Sequence, residues 1–186
     1  TASHAYHQAA CGCDKLRTAR HEAVVAAVAN RIAAEGPFLA ERTHSLGSSI
    51  HRAFKIDLVL TAHHLNPAAT AFDATVTCSL IPSYVETAAS DANRIFDLRH
   101  HEKQQKHAPG LTAMGKAYHT LACNTLGGVG PQETCDYFDQ VFLRSASIEI
   151  VAGLRGRLAA ARKQLFYAGI QAAVIKSTPP TWSTKG

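Results

Sequence analysis

The alternation of apolar and polar positions divides the chain into segments of helical and of strand period. From Arg17 to Glu35, Val24, Val25, Val28 and Ile32 recur at helical spacing with alanines between them. This predicts an amphipathic helix that Gly36-Pro37 ends. Phe38 to Thr43 predicts a short strand, and Ser45 to Ser49, with Gly47 inside, a turn. Lys55 to Ala62 and Ala71 to Leu80 are β-rich and predict two strands, joined by a loop from His63 to Thr70 around Asn66-Pro67. Pro82 closes the second of them. A helix is predicted from Val85 to His107, ended by Pro109-Gly110. Tyr118 to Thr125 predicts a further strand, and Gly127-Gly128 and Gly130-Pro131 turn the chain. A long helix is expected from Pro131 to about Ala161, broken near Gly153, and a last one from Arg162 to Ile175. The order α-β-β-β-α-β-α-α predicts an α/β fold, a mixed sheet with helices on its faces.

Composition narrows the class. A chain of 186 residues, 46% hydrophobic and 18% charged, is long enough for one domain with a buried core and is not of disordered type. No stretch approaches 18 uninterrupted apolar residues, so no membrane partner is expected. A net charge of +5 permits a nucleic-acid partner without demanding one. Five scattered cysteines, an odd number, argue against a complete disulfide framework and for a reducing compartment. Aromatic residues are 7% and form no stacking platform, which argues against a dedicated single-strand binder. Residue 1 is Thr and nothing resembles a signal peptide, so the chain reads as a piece of a longer polyprotein.

Two positions break the strand pattern. Asp57 lies within Lys-Ile-Asp-Leu-Val-Leu-Thr-Ala, and Asp73 within Ala-Phe-Asp-Ala-Thr-Val-Thr. Strand interiors disfavour Asp, and a buried carboxylate without a partner is costly. If the strands are neighbours, a divalent cation between the carboxylates removes their repulsion, and oxygen ligands suit Mg²⁺ or Mn²⁺. The alternative is that each Asp ends its strand or pairs with a nearby base such as Arg52 or Lys55. A lysine should approach the attacking water of such a site. Two residues after Asp73 stands Thr75, but the following helix carries Lys103 and Lys106. Both also fit an ordinary solvated helix end.

Other candidates are less specific. Lys15, Arg17, Arg20 and His21 cluster at the start of the first helix, where helix amides and arginines make a phosphate site. Arg155, Arg157, Arg162 and Lys163 form a second basic group, equally readable as a solvated helix face. His4, His7, Cys11, Cys13 and His21 are zinc-ligand residue types, but Cys-x-Cys is a poor spacing for that metal.

In order, these segments resemble the restriction-like endonuclease domain of site-specific LINE-type (non-LTR) retrotransposons, a branch of the PD-(D/E)XK nuclease superfamily. The resemblance rests on Arg20-His21, Glu41, Lys55-Ile56-Asp57-Leu-Val-Leu, Phe72-Asp73-Ala-Thr-Val-Thr, Glu102-Lys103-Gln-Gln-Lys106-His107, and Thr125-Leu-Gly-Gly-Val-Gly-Pro. It implies a restriction-endonuclease-like mixed sheet of about four strands flanked by helices. It implies Asp57 and Asp73 as ligands of Mg²⁺ or Mn²⁺, with Glu41 and a lysine moved onto the helix joining them in catalysis. Lys103 or Lys106 fills that place; Lys103 is preferred because Lys106-His107 resembles the family's Lys-Tyr pair. Ile56 stands where the family usually has Pro, and His107 where it often has Tyr.

The implied activity is the nicking of double-stranded DNA at an insertion site in the nucleus. The freed end then primes a reverse transcriptase domain of the same polyprotein. Arg17, Arg20, His21 and Lys55 are the candidate DNA contacts. The family often carries a zinc knuckle just ahead of this domain, and His7-x₃-Cys11 resembles its second half. Residues 1–16 are therefore expected to be a knuckle remnant with candidate zinc ligands His4, His7, Cys11 and Cys13, 17–176 the nuclease domain, and 177–186 a flexible tail. The rival readings are a catalytically inactive DNA-binding module from a decayed retroelement, and a repair or recombination nuclease sharing only the superfamily core.

Overall fold

Valines at helical spacing drive the first element. Helix α1, Asp14–Ala33, buries Val24, Val28 and Ile32 completely and packs on the sheet. The computed structural model describes residues 14–34, 38–48, 51–62, 66–149 and 155–176. Three strands follow, β1 (Phe38–Ser48), β2 (His51–Ala62) and β3 (Asn66–Thr77). Helices α2 (Pro82–Ser90) and α3 (Arg94–Ala113) lead to β4 (Ala117–Asn124) and the two-residue β5 (Val129–Gly130). Helices α4 (Gln132–Glu149) and α5 (Arg155–Lys176) complete the chain.

The sheet order is β1-β2-β3-β4-β5. β1, β2 and β3 pair antiparallel in sequence, β4 joins β3 in parallel, and β5 is antiparallel to β4. The parallel step needs a crossover, which α2 and α3 supply. The result is an α/β fold: a mixed sheet of four long strands flanked by helices. The main core joins α1, α4 and α5 to Leu58, Leu60, Phe72 and Leu121 of the sheet. A smaller one joins Leu111 of α3 to Ile56, Val59, Ala71 and Tyr118. Stacked Phe72 and Phe138, with centroids 5.3 Å apart, tie β3 to α4.

Several boundaries differ from the sequence reading. β1 runs through Gly47 because it stays paired with β2 to Ser48↔His51; the glycine sits at a register shift, where strands accept it. β3 starts at Asn66, inside the expected loop, because Asn66 pairs with Ala62. Pro67 is tolerated there because pairing with β4 begins only at Thr70. The single helix expected from Val85 to His107 is two. Asp91 Oδ1 accepts the Asn93 amide at 2.9 Å, and this turn separates them. Helix α3 also continues past Pro109 to Ala113. Pro109 and Gln105, four residues before it, are exposed, so the carbonyl that loses its donor faces water, while fully buried Leu111 anchors the last turn. Helix α5 begins at Arg155 rather than Arg162.

Candidate functional site

Asp57 and Asp73 meet where two strands part. The described β2–β3 pairing stops at Leu58↔Phe72, while β3 stays paired with β4 through Asp73↔Thr120 and Ala74↔Leu121. The Ala74 amide, beyond the end of the β2 pairing, donates to Asp57 Oδ2 at 2.8 Å. A carboxylate in an apolar strand thereby does local work: it accepts from a backbone donor of β3. His21 Nε2 of α1 lies 2.9 Å from the same oxygen. From the opposite layer, Lys103 Nζ of α3 donates to Asp73 Oδ2 at 2.8 Å, and His107 Nε2 stands 3.2 Å from that oxygen. Lys103 and His107 are four apart and share one helix face.

The two carboxyls interact, each shifting the other's hold on a proton. Burial pushes Asp73 up, the neighbouring Asp57 pushes it further, and Lys103 only partly offsets them, leaving it at about 6. Burial acts in the same sense on Asp57. His21, Asp73 and the Ala74 amide outweigh it and hold Asp57 below the usual carboxylate value. The hydrogen bond to Asp57 raises the His21 imidazole above its ordinary value, against the effect of burial. Burial first, then the charges of Lys106 and Lys103, lowers His107. Two facing carboxyls disfavour ionising together, so below about pH 6 the raised Asp73 keeps its proton. A divalent cation can take that proton's place.

A cavity of about 590 Å³ opens above the pair. Arg17 and Arg20 of α1 line one side, and Tyr84, Arg99 and Lys103 of α2 and α3 the other. Arg99 lies over the Tyr84 ring, 5.2 Å from its centroid. Thr125 also lines the cavity. It is held there by the turn after β4, in which Asn124 Oδ1 accepts the amides of Leu126 at 3.0 Å and Gly128 at 2.7 Å. Gly127 has φ +91°, a conformation side chains rarely adopt, and Gly130 lies so close to Phe96 that a Cβ would meet the ring at 2.5 Å.

The structure therefore brings together Asp57, Asp73, Lys103 and His21, with Arg17 and Arg20 on the cavity wall. His21, expected at DNA phosphate, instead holds Asp57, and Arg20 is buried. Lys106, one turn away, is exposed. Glu41 lies on β1 opposite Val59 and Lys55 on β2 opposite Ser45; their side chains are outside the described residues, as are those of Lys15, Arg155 and Arg157. His4, His7, Cys11 and Cys13, and the tail from Ser177, also lie outside them. Of the second basic group, Lys163 is ion-paired with Asp139. The sequence reading did not assign His107 or the Tyr84–Arg99 pair to the site. For His107 the available signal was its i+4 spacing from Lys103.

Among the described residues no three His, Cys, Asp or Glu side chains form a ready metal cage. The residues still fit Mg²⁺ or Mn²⁺, because such ions are commonly held by one or two carboxylates, with water and substrate phosphate completing the shell. Among the described residues no helix is long and apolar enough to cross a membrane. Comparison of the chain with protein-family models and with curated proteins returns no match.

Proposed function

We propose that this chain is a divalent-metal-dependent DNA endonuclease domain that nicks DNA by phosphodiester hydrolysis. The observation that supports the reading is the convergence of Asp57, Asp73 and Lys103, from β2, β3 and α3, at the floor of one cavity with arginines on its walls. It is the arrangement expected from the resemblance to retrotransposon restriction-like endonucleases, including the lysine displaced onto the helix. In this reading the DNA is the insertion target, and the nick primes reverse transcription by a polymerase domain of the same polyprotein in the nucleus.

Asp57 and Asp73 would hold Mg²⁺ or Mn²⁺, which supplies Lewis-acid polarisation of the scissile phosphate. The chain's own groups do the rest. Lys103, 29% exposed beside a 9% exposed Asp73, reaches the cavity from a packed helix and stabilises charge developing on the phosphoryl oxygens. Arg17 and Arg99 both line the cavity and would contact neighbouring phosphates, Arg99 giving up its ion pair with Glu102.

Supercoiled plasmid incubated with the protein and Mg²⁺ or Mn²⁺ should be nicked. Asp57→Ala and Asp73→Ala should abolish nicking while leaving DNA retention in a gel largely intact, because ligands of the ion act on the transition state and basic groups supply affinity. Full activity in either variant removes the assignment. DNA retention by the unaltered protein with no nicking in either metal would instead favour an inactive DNA-binding module.

A further inference from the structure

We propose that His21 is a positioning residue: with the Ala74 amide it clamps Asp57 Oδ2 and so presents the other carboxyl oxygen to the cation. The inference rests on the nuclease reading and adds to it how the acidic pair is aimed. Asp57 lies just before the described β2–β3 pairing begins at Leu58, so no β3 residue is paired opposite it and other groups set its orientation. Two donors from different elements converge on one oxygen, His21 Nε2 at 2.9 Å and the Ala74 amide at 2.8 Å. Both of these donors fall on Oδ2, which in this reading leaves the other carboxyl oxygen of Asp57 for the ion.

The imidazole is itself held. Its Nδ1 faces Glu22 Oε1 at 3.6 Å, and Glu22 Oε2 accepts from Arg42 of β1 at 3.1 Å. Val24 and Val25, three and four residues on and therefore on the same side of α1, are buried in the main core. The ring's place is inherited from that packing. Both ring nitrogens face carboxylates, so neither is directed at a cation, and His21 acts through Asp57 rather than as a ligand. Partners of this kind commonly change metal affinity by about 10–100-fold when removed.

The test compares the full chain with His21→Leu, His21→Gln and Asp73→Asn, each first shown to be folded by its melting curve. Mn²⁺ titration calorimetry should show affinity reduced about 10-fold or more in His21→Leu. His21→Gln, whose side-chain amide still donates, should recover most of it. Pulsed EPR of the Mn²⁺ protein should show no directly bound nitrogen. In chelator-treated protein the Ala74 amide proton, shifted downfield by its carboxylate acceptor, should move upfield in His21→Leu and stay in His21→Gln. Unchanged Mn²⁺ affinity and an unchanged Ala74 shift in His21→Leu overturn the proposal. A nitrogen coupling lost in His21→Leu overturns it too, by making His21 a ligand. If neither the unaltered protein nor Asp73→Asn binds Mn²⁺ while the Ala74 shift responds as expected, the nuclease reading fails and the clamp on Asp57 stands.

Discussion

A single oxygen, Asp73 Oδ2, is where the helix layer and the sheet exchange charge. Lys103 reaches it, whereas Lys106, one turn further on, is exposed to solvent. Lys103→Ala should slow single-turnover nicking at saturating DNA by about 10²–10³-fold, the usual loss when one charge-stabilising donor is removed. Lys106→Ala should instead weaken binding, with a smaller salt slope and an unchanged rate at saturation. If Lys106→Ala abolishes turnover and Lys103→Ala does not, the roles are reversed.

The same oxygen sets a pH dependence. Asp73 is raised to about 6 from 3.8, so the folded chain holds its proton more tightly than the unfolded chain. Its contribution to stability is full below pH 3.8 and is lost as pH rises through about 6. His21, also raised, loses its contribution as pH climbs through a value above 6.5. Asp57, lowered, loses its own only as pH falls through a value below 3.8. Chelator-treated protein should therefore lose melting temperature as pH rises through about 6, and Asp73→Asn should flatten that slope. Mn²⁺ must displace the Asp73 proton, so its affinity should fall about tenfold per pH unit below that point. A pH-independent Mn²⁺ affinity would show that Asp73 does not hold a proton there.

At the scale of elements, the turn between β4 and α4 shows how a short motif becomes geometry. Asn124 supplies the acceptor, Gly127 the left-handed backbone and Gly130 the close approach to Phe96. A Cβ at residue 130 would meet the Phe96 side chain at 2.5 to 2.8 Å, and Phe96 is buried and cannot withdraw into solvent. Gly130→Ala should therefore destabilise the fold by about 1–3 kcal/mol, the usual cost of overpacking. Chemical denaturation measures it, and a loss below about 0.5 kcal/mol, the range of ordinary surface changes, would show that Phe96 repacks. The glycines were legible as turn residues. Their partner Phe96, 34 positions before Gly130, was not, because the contact is made across α3 and β5. Pro109 taught the opposite lesson. Read locally it ends a helix, but burial of Leu111 against Val59 and Tyr118 holds one further turn.

At the scale of the molecule, the cavity has a basic wall on α1 and another on α3, and the acidic pair lies at its floor. Arg17, exposed on the rim, should contribute one phosphate contact. Arg17→Ala should lower the slope of log affinity against log salt by about 0.9 without changing the rate at saturation. An unchanged slope places the DNA elsewhere. The sequence alone determined most of the order of helices and strands, because hydrophobic period is a local property; it did not show that the helix after β3 is two or that β5 follows β4. It also singled out Asp57 and Asp73, because a carboxylate in an apolar strand requires a partner. Only the tertiary structure decided which partners they have. His21 and Asp57 are 36 residues apart, and Lys103 and Asp73 30, so their meeting depends on a parallel crossover and on β3 leaving β2 after Phe72. No local pattern encodes where a ladder splits, since that depends on packing from both faces of the sheet.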